Sequence, residues 1–165
     1  MLESGMFKSL FFLSFILLSL TQIKVNASEG AVNCEELRES CEYYSCFEAN
    51  RKCGRFGYSR GFGKKYCLRF EKRAPQFSIA GELWVSKTRN CLIKKLEDNI
   101  DARSCRSIKK ESFKEHLSCY VDSGFCELSK SDRKEVYKTI WPGLWRIRTL
   151  KAGIAIKKIC KGLKS

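Results

Sequence analysis

Apolar residues recur along this chain at three- and four-residue steps, the period of helices, and nowhere at the two-residue step of a half-buried strand. Beyond Gly63 the pattern resolves into separate elements. Lys65–Arg73 is one. Pro75 separates it from a longer stripe of Phe77, Ala80, Trp84, Cys91, Leu92 and Leu96, with Lys87, Arg89, Lys94 and Lys95 largely off it. Lys109–Val121 is the next: Phe113, His116, Leu117 and Tyr120 share a face, and Gly124 is placed to stop it. Ser129–Ile140 follows, with Ser129 or Ser131 as N-cap and an end near Trp141-Pro142-Gly143. In Leu144–Leu163, the residues Trp145, Thr149, Ala152, Ile156, Ile159 and Leu163 form a stripe expected to pack into the core. Ahead of these, Cys34–Cys53 holds four cysteines in twenty residues and predicts short, stapled helical turns. Gly54–Gly63, with four glycines in ten residues, predicts a loop. The expectation is an all-α fold, a small helical domain.

One stretch breaks this pattern. Leu10–Leu20 is an uninterrupted apolar-plus-serine run behind Lys8, followed by small residues at Val25-Asn26-Ala27 and then Ser28. Eleven residues make a helix of roughly 16 Å, too short for a bilayer core of about 30 Å. Residues 1–27 therefore read as a secretory signal peptide and 28–165 as the mature domain. The expected location is extracellular. The one Asn-x-Ser/Thr site, Asn26-Ala27-Ser28, falls at that boundary, so no N-glycan is expected on the domain.

All ten cysteines follow the signal. An even number behind an export signal predicts five intrachain disulfides rather than metal ligands. Zinc sites show matched pairs of close ligands. Here the tightest spacing is Cys41-x4-Cys46, no second pair matches it, and His116 is the only histidine. Ten cysteines can pair in about 945 ways, and spacing alone does not choose among them.

No catalytic set stands out, and no cofactor or metal is expected. The glycine-rich stretch ends Gly63-Lys64-Lys65, without the hydroxyl of a phosphate loop or a strand before it. His116-Leu117-Ser118-Cys119-Tyr120 resembles part of the helical motif of secreted phospholipases A2, in which His activates water and the next residue, Asp, helps hold calcium. Leu117 stands in the place of that Asp and offers no oxygen ligand, and Ser112 and Phe113 replace the paired cysteines upstream. Asp98/Asp101 and Glu111/Glu115 sit at ordinary helix-surface spacings. The chain is expected not to be an enzyme.

Charge is more informative. Lys8, Lys24 and Glu3 are the charged residues of 1–27, which leaves 30 basic and 17 acidic residues and a formal charge of +13. After Glu135 there is no acid but eight Lys/Arg, namely Lys138, Arg146, Arg148, Lys151, Lys157, Lys158, Lys161 and Lys164. Residues 51–73 hold nine Lys/Arg against Glu71. Such clusters attract polyanions, an anionic lipid surface or a heparin-like glycan; nucleic acid is not expected as the partner of an exported chain. The last seven of the eight form the candidate polyanion-binding set.

The cysteine ladder adds a resemblance. Its intervals of 7, 5, 7, 14, 24, 14, 14, 7 and 34 residues resemble those of the stanniocalcin family of secreted, hormone-like proteins, closely from Cys67 onward. The match is anchored by Tyr66-Cys67 with Phe70, by Phe77 and Gly81 before Val85 and Cys91, and by Cys119-Tyr120 before Cys126. It implies bridges Cys34–Cys46, Cys41–Cys67, Cys53–Cys105, Cys91–Cys119 and Cys126–Cys160. It also implies a non-enzymatic extracellular regulator, in calcium and phosphate homeostasis or as an inhibitor of a metalloprotease, with an extracellular protein or receptor as partner. The family's subunit-linking cysteine lies beyond the tenth, and five residues follow Cys160 here, so no disulfide-linked dimer of that kind is expected and a homodimer would have to be non-covalent. The alternative is a cationic secreted defence or toxin-like protein acting on anionic membranes.

Overall fold

The computed structural model describes residues 32–98, 104–145 and 147–163; the expected signal peptide, 1–27, lies outside the described residues. Among them are six α-helices and no strand: α1 (Tyr43–Arg51), α2 (Lys64–Arg73), α3 (Ile79–Glu97), α4 (Cys105–Asp122), α5 (Lys130–Leu144) and α6 (Ile147–Gly162). The all-α expectation holds. None of the described helices is long and apolar enough to cross a membrane.

Serine starts each of the three helices α3, α4 and α5. The hydroxyls of Ser78, Ser104 and Ser129 accept from the backbone N–H three residues on, at 3.2, 3.2 and 3.0 Å. Each satisfies a donor that the first turn leaves open. Gly124 stops α4 as its position predicts. Its φ of +99° turns the chain, Phe125 N–H donates to the Tyr120 carbonyl (3.1 Å), and Gly124 N–H donates to that of Val121 (2.9 Å). That is the Schellman pair, and the Phe125 ring closes it against Tyr120 at 6.3 Å.

The helices enclose two adjoining apolar clusters. One gathers aromatic residues of α1, the glycine-rich stretch and α2 (Tyr44, Phe47, Tyr58, Phe62, Tyr66) against Ile93 and Ile108. The other packs Trp84 of α3 with Tyr120, Phe125, Val136 and Ile156. Gly54–Gly63 is less of a loop than its glycines predict: Ser59–Gly63 winds into a wide helical turn leading into α2. Gly63 lies flat on Tyr44, where a Cβ would come within 2.5 Å of the ring, so close packing accounts for this glycine.

Five disulfides staple the helices, and no described cysteine is free. They join Cys34 to Cys46, Cys41 to Cys67, Cys53 to Cys105, Cys91 to Cys119 and Cys126 to Cys160, with Cα–Cα distances of 5.1–5.7 Å. The first four close overlapping loops and weave α1 to α4 together. The fifth stands apart and ties α6 to the α4–α5 turn.

Candidate functional site

Two places concentrate chemistry. The first surrounds His116, the single histidine. It sits two-thirds of the way along α4, and its ring lies 5.3–6.0 Å from those of Phe62, Phe113, Tyr120 and Tyr58. Its Nδ1 lies 2.6 Å from the Ser112 carbonyl. A carbonyl only accepts, so Nδ1 carries the proton. Desolvation by the surrounding rings pulls the pKa down to about 4, and the bond to Ser112 only partly opposes this. Two small cavities, about 50 and about 40 Å³, meet at His116, Phe62 and Tyr120. Ordinary small-molecule sites run to about 300–1,000 Å³, so these are packing defects by comparison. Leu117, where the partial lipase motif would need its calcium ligand, belongs to the apolar cluster around Trp84.

The low pKa has a measurable consequence. The unfolded chain takes up a proton near the ordinary pH 6.5, whereas folded His116 resists it down to about pH 4. Between those values the unfolded state binds more protons, so stability should fall as pH drops through that window. NMR titration of the His116 ring should show a midpoint well below 6, and His116→Phe should flatten stability against pH between 4 and 6.5. A midpoint at 6.5 would contradict desolvation of the ring by its aromatic neighbours.

The second place is the surface of α5 and α6. Lys151, Lys157, Lys158 and Lys161 all lie exposed on α6, and Arg148 belongs to the same helix; Arg146 and Lys164 lie outside the described residues. α5 brings basic residues that the sequence reading did not include: exposed Lys130 and Lys134 and partly buried Arg133. Arg133 and Tyr137 join two shallow grooves. One runs past Lys157 and Lys161 of α6, the other past Lys134, Lys138 and Trp141. The acids of this region face inward. Asp132 is 2 % exposed, and Glu135, 8 % exposed, is held by Lys138 at 2.6 Å and by Arg73 of α2. Those two cations hold the Glu135 carboxyl below its usual pKa despite desolvation.

The apolar stripe expected on α6 needs correcting. Ile156 is buried, and Thr149 and Ala152 line a cavity against α5, but Trp145, Ile159 and Leu163 are exposed. Cys160 sets the rotation: its bridge to Cys126 turns Thr149, Gly153, Ile156 and Cys160 inward. Ile159 lies off that line, whereas Leu163 continues it but stands one residue beyond the end of α6. A second apolar row, Ile147, Leu150 and Ile154, is left on the outside. Its spacing of i, i+3 and i+7 was the legible signal. Comparison with family models, curated proteins and solved structures gives no match for this chain.

Proposed function

We propose that this chain is a secreted, non-enzymatic regulatory protein on a stanniocalcin-like scaffold, acting on an extracellular protein partner or receptor. The bridge map carries the reading. Of about 945 pairings open to ten cysteines, the fold contains the five that the resemblance implies. His116 is packed among aromatic rings beside cavities of about 50 and about 40 Å³, too small for an ordinary substrate, which supports the non-enzymatic reading. Five bridges also fit an oxidising compartment.

The test begins with expression in secreting cells. The medium should contain protein starting at Ser28, with the five bridges in a non-reducing peptide map. Bridged protein should then inhibit an extracellular metalloprotease on a quenched peptide, or alter phosphate uptake by epithelial cells, and reduction should abolish the effect. Retention inside the cell, or turnover of a substrate by the protein itself, would overturn the reading.

A further inference from the structure

We propose that the outward face of the α5–α6 pair docks the folded domain onto an anionic lipid surface. This goes beyond the regulatory reading and does not depend on it.

Charge is the first support. Between residues 130 and 163 eight described Lys/Arg reach the surface wholly or in part, and the two acids, Asp132 and Glu135, are both buried. Among the described residues Lys130, Lys134, Lys151, Lys157, Lys158 and Lys161 make no ion pair. Apolar exposure on the same two helices is the second. Of thirteen exposed large apolar residues in the described chain, eight lie between Tyr137 and Leu163. On α6, Ile147 (70 % exposed), Leu150 (50 %) and Ile154 (61 %) form a ridge opposite Ile156, with Lys151 and Lys158 along one side and Lys157 and Lys161 continuing the row toward the C-terminus. Trp141 and Trp145 precede it in the chain, exposed and edge to face at 6.2 Å, and Trp141 lines the α5 groove with Lys134 and Lys138.

An aliphatic ridge bordered by lysines, with tryptophan ahead of it in the chain, is the composition of a helix lying in the headgroup layer. A second copy of this chain fits poorly, because it would bring the same positive face against this one. A sulfated glycan would use the lysines and leave Ile147, Leu150 and Ile154 without a role. The inward face of α6 and its bridge at Cys160 keep the helix in the fold. The domain therefore sits on the bilayer without piercing it.

The tryptophans supply the probe, since Trp84 is buried and the other two lie in the proposed face. The bridged protein should co-sediment with phosphatidylcholine vesicles containing about 30 % phosphatidylserine, and at least tenfold less with phosphatidylcholine alone. Its emission should shift to shorter wavelength and be quenched by brominated acyl chains. Each lysine at an anionic surface strengthens binding about fivefold. Lys151→Glu with Lys158→Glu, which keeps both tryptophans, should therefore weaken binding at least 25-fold with an unchanged thermal melt. Ile147→Ser with Ile154→Ser should weaken vesicle binding by at least about tenfold and leave retention on heparin unaltered. Four results would overturn the proposal: equal binding to neutral vesicles, indifference to the serine pair, a dimer that shields the tryptophans, or dye leakage with loss of helical circular dichroism.

Discussion

Replacing Cys53 and Cys105 together by serine should destabilise the domain by about 4 kcal/mol and lower its melting temperature by about 15 °C. This bridge spans 52 residues, the widest separation of the five. In the chain-entropy account, the longer the loop closed, the more freedom the bridge removes from the unfolded chain. It also fixes the first residue of α4. Without it that end would rest on the Ser104 cap, the bond from Lys109 Nζ to the Phe56 carbonyl at 2.8 Å, and the burial of Ile108. The same substitution at Cys34 and Cys46, 12 residues apart, should cost about 3 kcal/mol. Guanidinium melts of the two variants make the comparison. The Cys53/Cys105 variant should also show the steeper denaturant dependence, because its unfolded state expands more. Equal losses would mean that native contacts around the sulfurs, rather than loop length, set the value of each bridge.

Helical spacing carried the fold class, since the stripes through Trp84 on α3 and through Phe113, His116 and Tyr120 on α4 face inward or meet in the aromatic cluster. Element ends were harder to read. α4 starts at Cys105 rather than Lys109, because the Ser104 cap and the buried Ile108 extend it through a stretch with too little apolar pattern to reveal a turn. α5 runs through Pro142 to Leu144, where proline would ordinarily end a helix. Continuing brings Gly143 against the Tyr66 hydroxyl, 2.7 Å from where a Cβ would stand. Such contacts between distant segments leave no local trace. The same holds for α6: its sequence carries two apolar rows, and the tertiary link at Cys160 decides which is buried. The positive charge of α6 was legible residue by residue, whereas Lys130, Arg133 and Lys134 of α5 join it only through tertiary packing. The hydrophobic half of the candidate face depended on a rotation that periodicity alone left open.

Asp132→Ala should cost about 3 kcal/mol and move the acid limit of the fold. This carboxylate is 2 % exposed and serves two helix starts at once. Oδ1 accepts from Ser78 N–H at 2.9 Å, and Oδ2 accepts from the hydroxyls of Ser78 at 2.8 Å and Ser129 at 2.6 Å. Each of those hydroxyls in turn caps its own helix, α3 or α5. The negative charge thus lies at the positive ends of two helix dipoles. Gly81 makes room for it, since a Cβ there would stand 2.5 Å from Oδ1. Desolvation acts to raise the Asp132 pKa, yet the bonds from Ser129 and Ser78 outweigh it and the net shift is downward from 3.8. The stabilisation is therefore complete above the unfolded value near 3.8 and is lost as pH falls through the lower folded one. Alanine at 132 should remove that dependence and leave the His116 window between pH 4 and 6.5 in place, so the two acid steps separate. Ser78→Ala and Ser129→Ala should each cost about 1 kcal/mol in the wild-type background. Both should cost less once Asp132 is gone, because the hydroxyls then lose their shared acceptor. Unchanged single-mutant losses in the Asp132→Ala background would show that the two caps act independently, and that the carboxylate does not couple α3 to α5.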